Sequence, residues 1–94
     1  MFTATQNKGV QITFANGYTV SLQWGTLNYC AKRDYAAMDG KVMYHDDWKS
    51  PDCEIAAWDK NKKWLRLGEN DAVKGWVTPD EALRMMNEIA ALEG

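Results

Sequence analysis

Ninety-four residues with 11 basic and 13 acidic side chains, net −2, make one domain with a single small core. A chain of this length buries about 60–65% of the surface its unfolded form exposes, which leaves little room for a deep cleft. The mild charge balance argues against general nucleic-acid binding, which needs a basic stripe, and against DNA mimicry, which needs a dense acidic face.

The N-terminal stretch "MFTATQNKGVQITF" lacks a basic segment followed by an apolar one, and no apolar run approaches 18 residues. A cytoplasmic protein without a membrane association is expected, with Cys30 and Cys53 as reduced thiols. No repeat, low-complexity tract or linker divides residues 1–94.

"VQITFANGYTVSLQW" predicts a β-hairpin over about 10–24, because Val10, Ile12 and Phe14, then Tyr18, Val20, Leu22 and Trp24, alternate with polar residues. A two-residue Asn-Gly loop would set Phe14 opposite Thr19. A three-residue Ala-Asn-Gly loop sets Phe14 opposite Tyr18, Ile12 opposite Val20 and Val10 opposite Leu22, so that one face is wholly apolar. A one-residue slip flips every side chain, so the second register is predicted, with Gly17 in the left-handed position. Gln11, Thr13, Thr19, Ser21 and Gln23 then line the other face, which is polar but uncharged. That face either is a β-favouring solvent surface or hydrogen-bonds a ligand or a second copy.

Up to Tyr29 the chain carries one charged side chain, Lys8. "WGTLNYCAKRDY" then brings Trp24, Asn28, Tyr29 and Arg33 within ten positions, just after Gly25 ends the strand. An amide, a phenol and a guanidinium at a strand end suit a polar planar ligand, and equally a loop that bonds its own backbone. In the middle of the chain, "KVMYH" (41–45) alternates as a short strand, "KRDYAAM" reads as one or two helical turns, and "DDWKSPD" reads as a loop.

"CEIAAWDKNKKWLRL" predicts a second hairpin over about 53–67, pairing Trp58 with Trp64 around a Lys60-Asn61-Lys62 loop. Ile55, Ala57, Leu65 and Leu67 form its core side. Glu54, Ala56, Trp58, Trp64 and Arg66 form the other, with Glu54 and Arg66 diagonal neighbours. The two indoles either clip the hairpin or make an aromatic platform beside Arg66. Five tryptophans in so short a chain imply that some are exposed. "GWVTPDEALRMMNEIAALEG" closes the chain with a short apolar stretch, Trp76-Val77, and a helix over about 79–92. Thr78 is its N-cap, Pro79 its first residue and Glu81 the third position of a capping box. Ala82, Met85, Met86, Ile89 and Leu92 form one apolar stripe.

Catalytic constellations are weak. Cys30 near Lys32 and Arg33, with His45, Asp46 and Asp47, assembles a Cys–His–Asp set only from single copies. His45, Asp46, Asp47, Asp52 and Cys53 lack the paired spacing of zinc sites. There is no phosphate-binding glycine loop, so no cofactor is expected. Arg33, Arg66 and the lysines at 60, 62 and 63 remain as phosphate-binding cations.

The segments "KGVQITFANGYTVSLQWG", "NYC" and "AAWDKN…VKGWVTPDEAL" resemble small uncharacterised proteins encoded by bacteriophages and prophages, with the pattern NG[WY]TVS[VL]Q[WF]G…NYC. That resemblance spans most of the chain and supplies a phage context without an established activity; small phage proteins of this length often act by binding host defence proteins or the nucleotide signals those defences use.

The expected fold is α+β: an antiparallel sheet of four to five strands with one amphipathic C-terminal helix on its apolar face. The sheet's second face and its edges are left open, which suggests a symmetric homo-oligomer. The expected function is non-enzymatic sequestration of a small nucleotide-like signal by Trp24, Asn28, Tyr29, Arg33, Trp58 and Arg66. The alternatives are an inhibitor that docks on a host defence protein through exposed tryptophans and, more remotely, a small Cys/His or metal-dependent hydrolase.

Overall fold

The computed structural model describes residues 1–5, 9–24, 50–69 and 71–93. They form a five-stranded antiparallel sheet of order β1-β2-β3-β4-β5, with β1 Phe2–Ala4, β2 Gly9–Thr13, β3 Thr19–Gln23, β4 Cys53–Trp58 and β5 Lys74–Val77, followed by helix α1, Pro79–Ala90. The strand and turns expected between residues 31 and 49 lie outside the described residues.

The β2–β3 hairpin takes the register that keeps one face apolar: Val10 pairs with Leu22 and Ile12 with Val20. Its loop is Ala15-Asn16-Gly17, closed by Phe14 N–H to Tyr18 O at 2.9 Å, with Gly17 at φ 92°. The Lys60-Asn61-Lys62 turn repeats this geometry. Lys62 N–H donates to Asp59 O (2.9 Å), Asp59 N–H donates to Lys63 O (3.0 Å), and Lys62 sits at φ 63° where the first turn has glycine. The Asp59 carboxylate fixes this turn by accepting from the backbone N–H groups of Asn61 and Lys63, at 2.8 and 2.9 Å.

The second hairpin is shorter than the sequence predicts. Trp58 pairs with Trp64 as expected, but only as an isolated bridge, held beyond it by Leu65 N–H to Ala57 O at 2.9 Å, and residues 66–73 leave the ladder. The edge of β4 is taken instead by β5, with Cys53 opposite Val77 and Ile55 opposite Lys74. The apolar Trp76-Val77 stretch is thus part of a strand. Gly75 and Trp76 together oppose the single residue Glu54, a bulge that holds Trp76 at φ 51°. At the other edge β1, which has no alternating pattern of its own, is held by Thr13 N–H to Met1 O (2.8 Å) and Thr5 N–H to Gly9 O (3.0 Å).

Pairing across β1 to β4 places Phe2, Ile12, Val20 and Ala57 in one row and Ala4, Val10, Leu22 and Ile55 in the next, all on one face. The core lies there: Val20, Cys53, Ile55, Ala57 and Val77 from the sheet meet Ala82 and Ile89 from α1, with Leu65, Leu67, Met85 and Met86 packed around them. The helical stripe is therefore used through Ile89, whereas Leu92 is exposed.

Helix α1 starts as its sequence dictates. Thr78 Oγ1 accepts from Glu81 N–H at 3.3 Å, the Glu81 carboxylate accepts from Thr78 N–H at 3.5 Å, and Pro79 follows the cap. The Thr78 N–H, and after it the Lys74 ammonium 3.5 Å away, hold the Glu81 carboxyl below its ordinary 4.5. A depressed folded-state value stabilises the helix above 4.5 and is lost as pH falls through that lower value. Thr78→Ala should cost about 1 kcal/mol. Glu81→Gln should flatten the acid limb of stability against pH, as measured by urea unfolding at pH 3 to 6.

Its end is capped from elsewhere. No basic residue lies in the last turn, and Ala91 at the C-cap is right-handed. Asn16, in the β2–β3 turn, reaches across instead. Its Nδ2 lies 2.9 Å from Ile89 O, 3.2 Å from Ala90 O and 2.9 Å from Leu92 O, so two N–H bonds are shared among three carbonyls. Its Oδ1 accepts from Tyr18 N–H at 3.0 Å, which holds the turn itself.

The face turned away from α1 is less open than the sequence suggests. Thr19, Ser21 and Ala56 are buried there, Ser21 to 6% exposure. Thr13 and Thr19 hydroxyls pair at 2.8 Å, and Gln23 bonds both Ser21 Oγ (3.0 Å) and Thr5 Oγ1 (2.9 Å). This accounts for the missing charge: the buried hydroxyls of Thr19 and Ser21 and the half-buried amide of Gln23 are satisfied laterally, whereas a lysine or glutamate at the buried positions would lose its hydration.

Candidate functional site

The strand register divides the expected site. Trp24 follows β3 on the helix side and packs against the core. Trp58 lies opposite Thr19, on the other face of the sheet. The structure therefore does not bring Trp24 and Trp58 together. Asn28, Tyr29 and Arg33 lie outside the described residues. Arg66 is exposed two residues beyond Trp64, after the chain has left the ladder, so it does not continue a hairpin toward Glu54.

What the structure does assemble is a row across three strands and the isolated bridge beside them, Thr13, Thr19, Trp58 and Trp64. The two indole centroids are 5.1 Å apart with planes tilted by 35°, inside the range in which aromatic pairs attract. Trp58 is half-buried, and Trp64 leaves 50% of its surface exposed. The turn joining them carries exposed Lys60, Lys62 and Lys63, and Arg66 follows. Four of the chain's 11 basic residues thus fall between positions 60 and 66, in a protein of net charge −2. The one acidic residue of the 59–66 segment, Asp59, is committed to the turn backbone.

Lys62 was visible in the sequence as a turn residue, but its conformation was not. A left-handed backbone costs an ordinary L-residue about 1–2 kcal/mol, and the equivalent position of the first turn uses glycine. A lysine here keeps a fourth cation at that expense. The sequence marks Trp76 likewise only as apolar. Its bulge leaves it 58% exposed beside a cavity of about 530 Å³ walled in part by Leu67, Val73 and Lys74. The signal that could have located it is the Gly75-Trp76 pair, since glycine often marks a bulge.

A second cavity, about 330 Å³, opens near the start of α1. Leu22, Trp24, Val77 and Ala82 give it an apolar wall, and Ser50, Asp52 and the buried thiol of Cys53 contribute polar groups. Ser50 Oγ lies 3.5 Å from Asp52 Oδ1. Cys30, His45, Asp46 and Asp47 lie outside the described residues, among which no three His, Cys, Asp or Glu converge as a metal site. Among the described residues no helix is long and apolar enough to cross a membrane. Comparison with protein-family models, with curated proteins and with solved structures finds no match to this chain.

Proposed function

We propose that this protein is a non-enzymatic binding protein of the phage anti-defence kind, acting in the cytoplasm, which sequesters a planar anionic ligand of nucleotide type on the Trp58–Trp64 surface. The observation that carries this reading is the half-exposed cross-strand indole pair enclosed by a turn with three lysines and followed by Arg66. An exposed indole offers a stacking surface for a base, worth about 1–3 kcal/mol per base. Ammonium and guanidinium groups at its margin supply charge for phosphate. Lys62 supports the same reading, because charge is kept there where glycine would be conformationally easier.

The test is a thermal-shift and tryptophan-fluorescence titration against ribonucleoside mono- and diphosphates and cyclic dinucleotides. A binding nucleotide should raise Tm, quench fluorescence and lose affinity with added salt. Trp64→Ala should then weaken binding about tenfold to a hundredfold. Lys62→Gly is the sharper variant. It should leave Tm unchanged or raised while weakening binding, which separates loss of ligand from loss of fold. Absence of any shift across the panel at millimolar concentration would overturn the nucleotide reading. Pull-down of one discrete host protein, lost on Trp64→Ala, would replace it with the inhibitor reading.

A further inference from the structure

The two edges of the sheet are built differently. At β5 the Gly75-Trp76 bulge, left-handed Trp76 and charged Lys74 interrupt the strand, all devices that discourage further pairing. Strand β1 has none of them. Residues 1–5, Met-Phe-Thr-Ala-Thr, contain no charged side chain, proline or glycine.

The hydrogen bonds of β1 fix which of its groups face outward. Met1 exchanges bonds with Thr13, at 2.9 and 2.8 Å, and Thr5 N–H donates to Gly9 O at 3.0 Å. In an antiparallel ladder the inward-bonded residues alternate, so Met1, Thr3 and Thr5 address β2. The N–H and C=O groups of Phe2 and Ala4 point away from the sheet. Phe2 and Ala4 also project their side chains onto the apolar face, in the rows of Ile12 and Val10. That face is buried over β3 to β5, whereas Ile12 and Val10 are only half-covered and Phe2 is 80% exposed.

We infer that β1 is a homodimerisation strand, pairing antiparallel with β1 of a second copy about a two-fold axis at Thr3. In that register Phe2 of one copy lies opposite Ala4 of the other, a large side chain against a small one. Their outward groups then form four backbone hydrogen bonds, giving a continuous ten-stranded sheet. The apolar strips of both copies meet across the axis with no charged side chain from β1 between them. A second copy is favoured over an open chain of copies, because head-to-tail growth would need β1 to pair with the bulged β5 edge. The β1–β1 contact is isologous and closes at two.

The test is sedimentation velocity of the full chain, with no N-terminal tag, from 1 to 500 µM. A monomer–dimer equilibrium is expected. Ala4→Pro removes an outward N–H and leaves the pairing with β2 intact. Phe2→Lys places charge on the joined strip. Each should shift the dimer dissociation constant upward at least tenfold while preserving the wild-type circular dichroism. Thr3→Cys, on the axis, should give a disulfide-linked dimer under mild oxidation, and Gln11→Cys, one strand further in, should not. A chain that stays monomeric to 500 µM would overturn the inference. So would a dimer indifferent to both edge variants, or one that Thr3→Cys fails to cross-link.

Discussion

Ile55→Ala should lower the unfolding free energy by about 3–4 kcal/mol, near the upper part of the range for truncating a buried isoleucine. Ile55 is fully buried in β4, with Leu22 of β3 on one side and the start of β5 on the other. Its backbone is therefore held by ladders in both directions, and the neighbouring strands cannot close over the missing methyl groups. For a domain whose total stability is of order 5–15 kcal/mol, this is a large share. With about 4–8 °C of Tm per kcal/mol at this size, the melting point should fall by well over 10 °C. Leu83→Ala is the matched contrast. Leu83 is apolar and helical but 57% exposed, so its truncation should change stability by less than about 0.5 kcal/mol in the same urea titration. Equal losses at the two positions would mean that α1 does not present the Ala82/Ile89 face to the sheet.

Asn16→Asp should cost about 2–3 kcal/mol, although aspartate is as good a turn former as asparagine. The carboxylate keeps the acceptor that bonds Tyr18 N–H, so the hairpin loop itself is preserved. What it loses is the amide that donates to Ile89, Ala90 and Leu92 carbonyls. Each hydrogen bond contributes roughly 0.5–1.5 kcal/mol, and an anion at a helix C-terminus is unfavourable by a further 0.3–1 kcal/mol. The pH dependence distinguishes this cause from a generic loss. Facing carbonyl oxygens, the new carboxyl has a folded-state value raised above its unfolded one. Its protonated form is the stable one: stability is recovered as pH falls below the unfolded value of about 3.9 and is lost as pH rises through the folded value. The gap between variant and wild type should therefore narrow toward pH 3 in urea unfolding measured from pH 3 to 7. A gap that is constant with pH would show that Asn16 acts only within its own turn.

These two residues illustrate different reaches of information. Ile55 is legible as core from its alternation with Glu54 and Ala56. Asn16 reads as a turn residue, which it is, but nothing within several residues of it announces a helix end 73 positions away. The same holds for the candidate site. Pairing of Trp58 with Trp64 follows from the local turn, because a three-residue loop fixes the register around itself. The two alternations already set Trp24 on an apolar face and Trp58 opposite the core side of its hairpin, whereas the row that joins Trp58 to Thr19 is a contact between distant strands that no turn specifies.

Features governed by short-range sterics and hydrogen bonding are written into the chain locally. These are the β2–β3 register, the glycine in its turn, the capping box at Thr78 and Glu81, and the apolar stripe of α1. Tertiary structure decided everything settled by competition between distant segments for the same neighbour. Beyond Leu65, which still bonds Ala57, residues 74–77 rather than 66–67 took the edge of β4, and a three-residue segment without pattern became β1. On the uncharged face buried Thr19 and Ser21 bond half-buried Thr13 and Gln23, and Gln23 also bonds Thr5, a partner that only the pairing of β1 brings near. Local rules reach about one turn of chain, whereas burial depends on the whole fold.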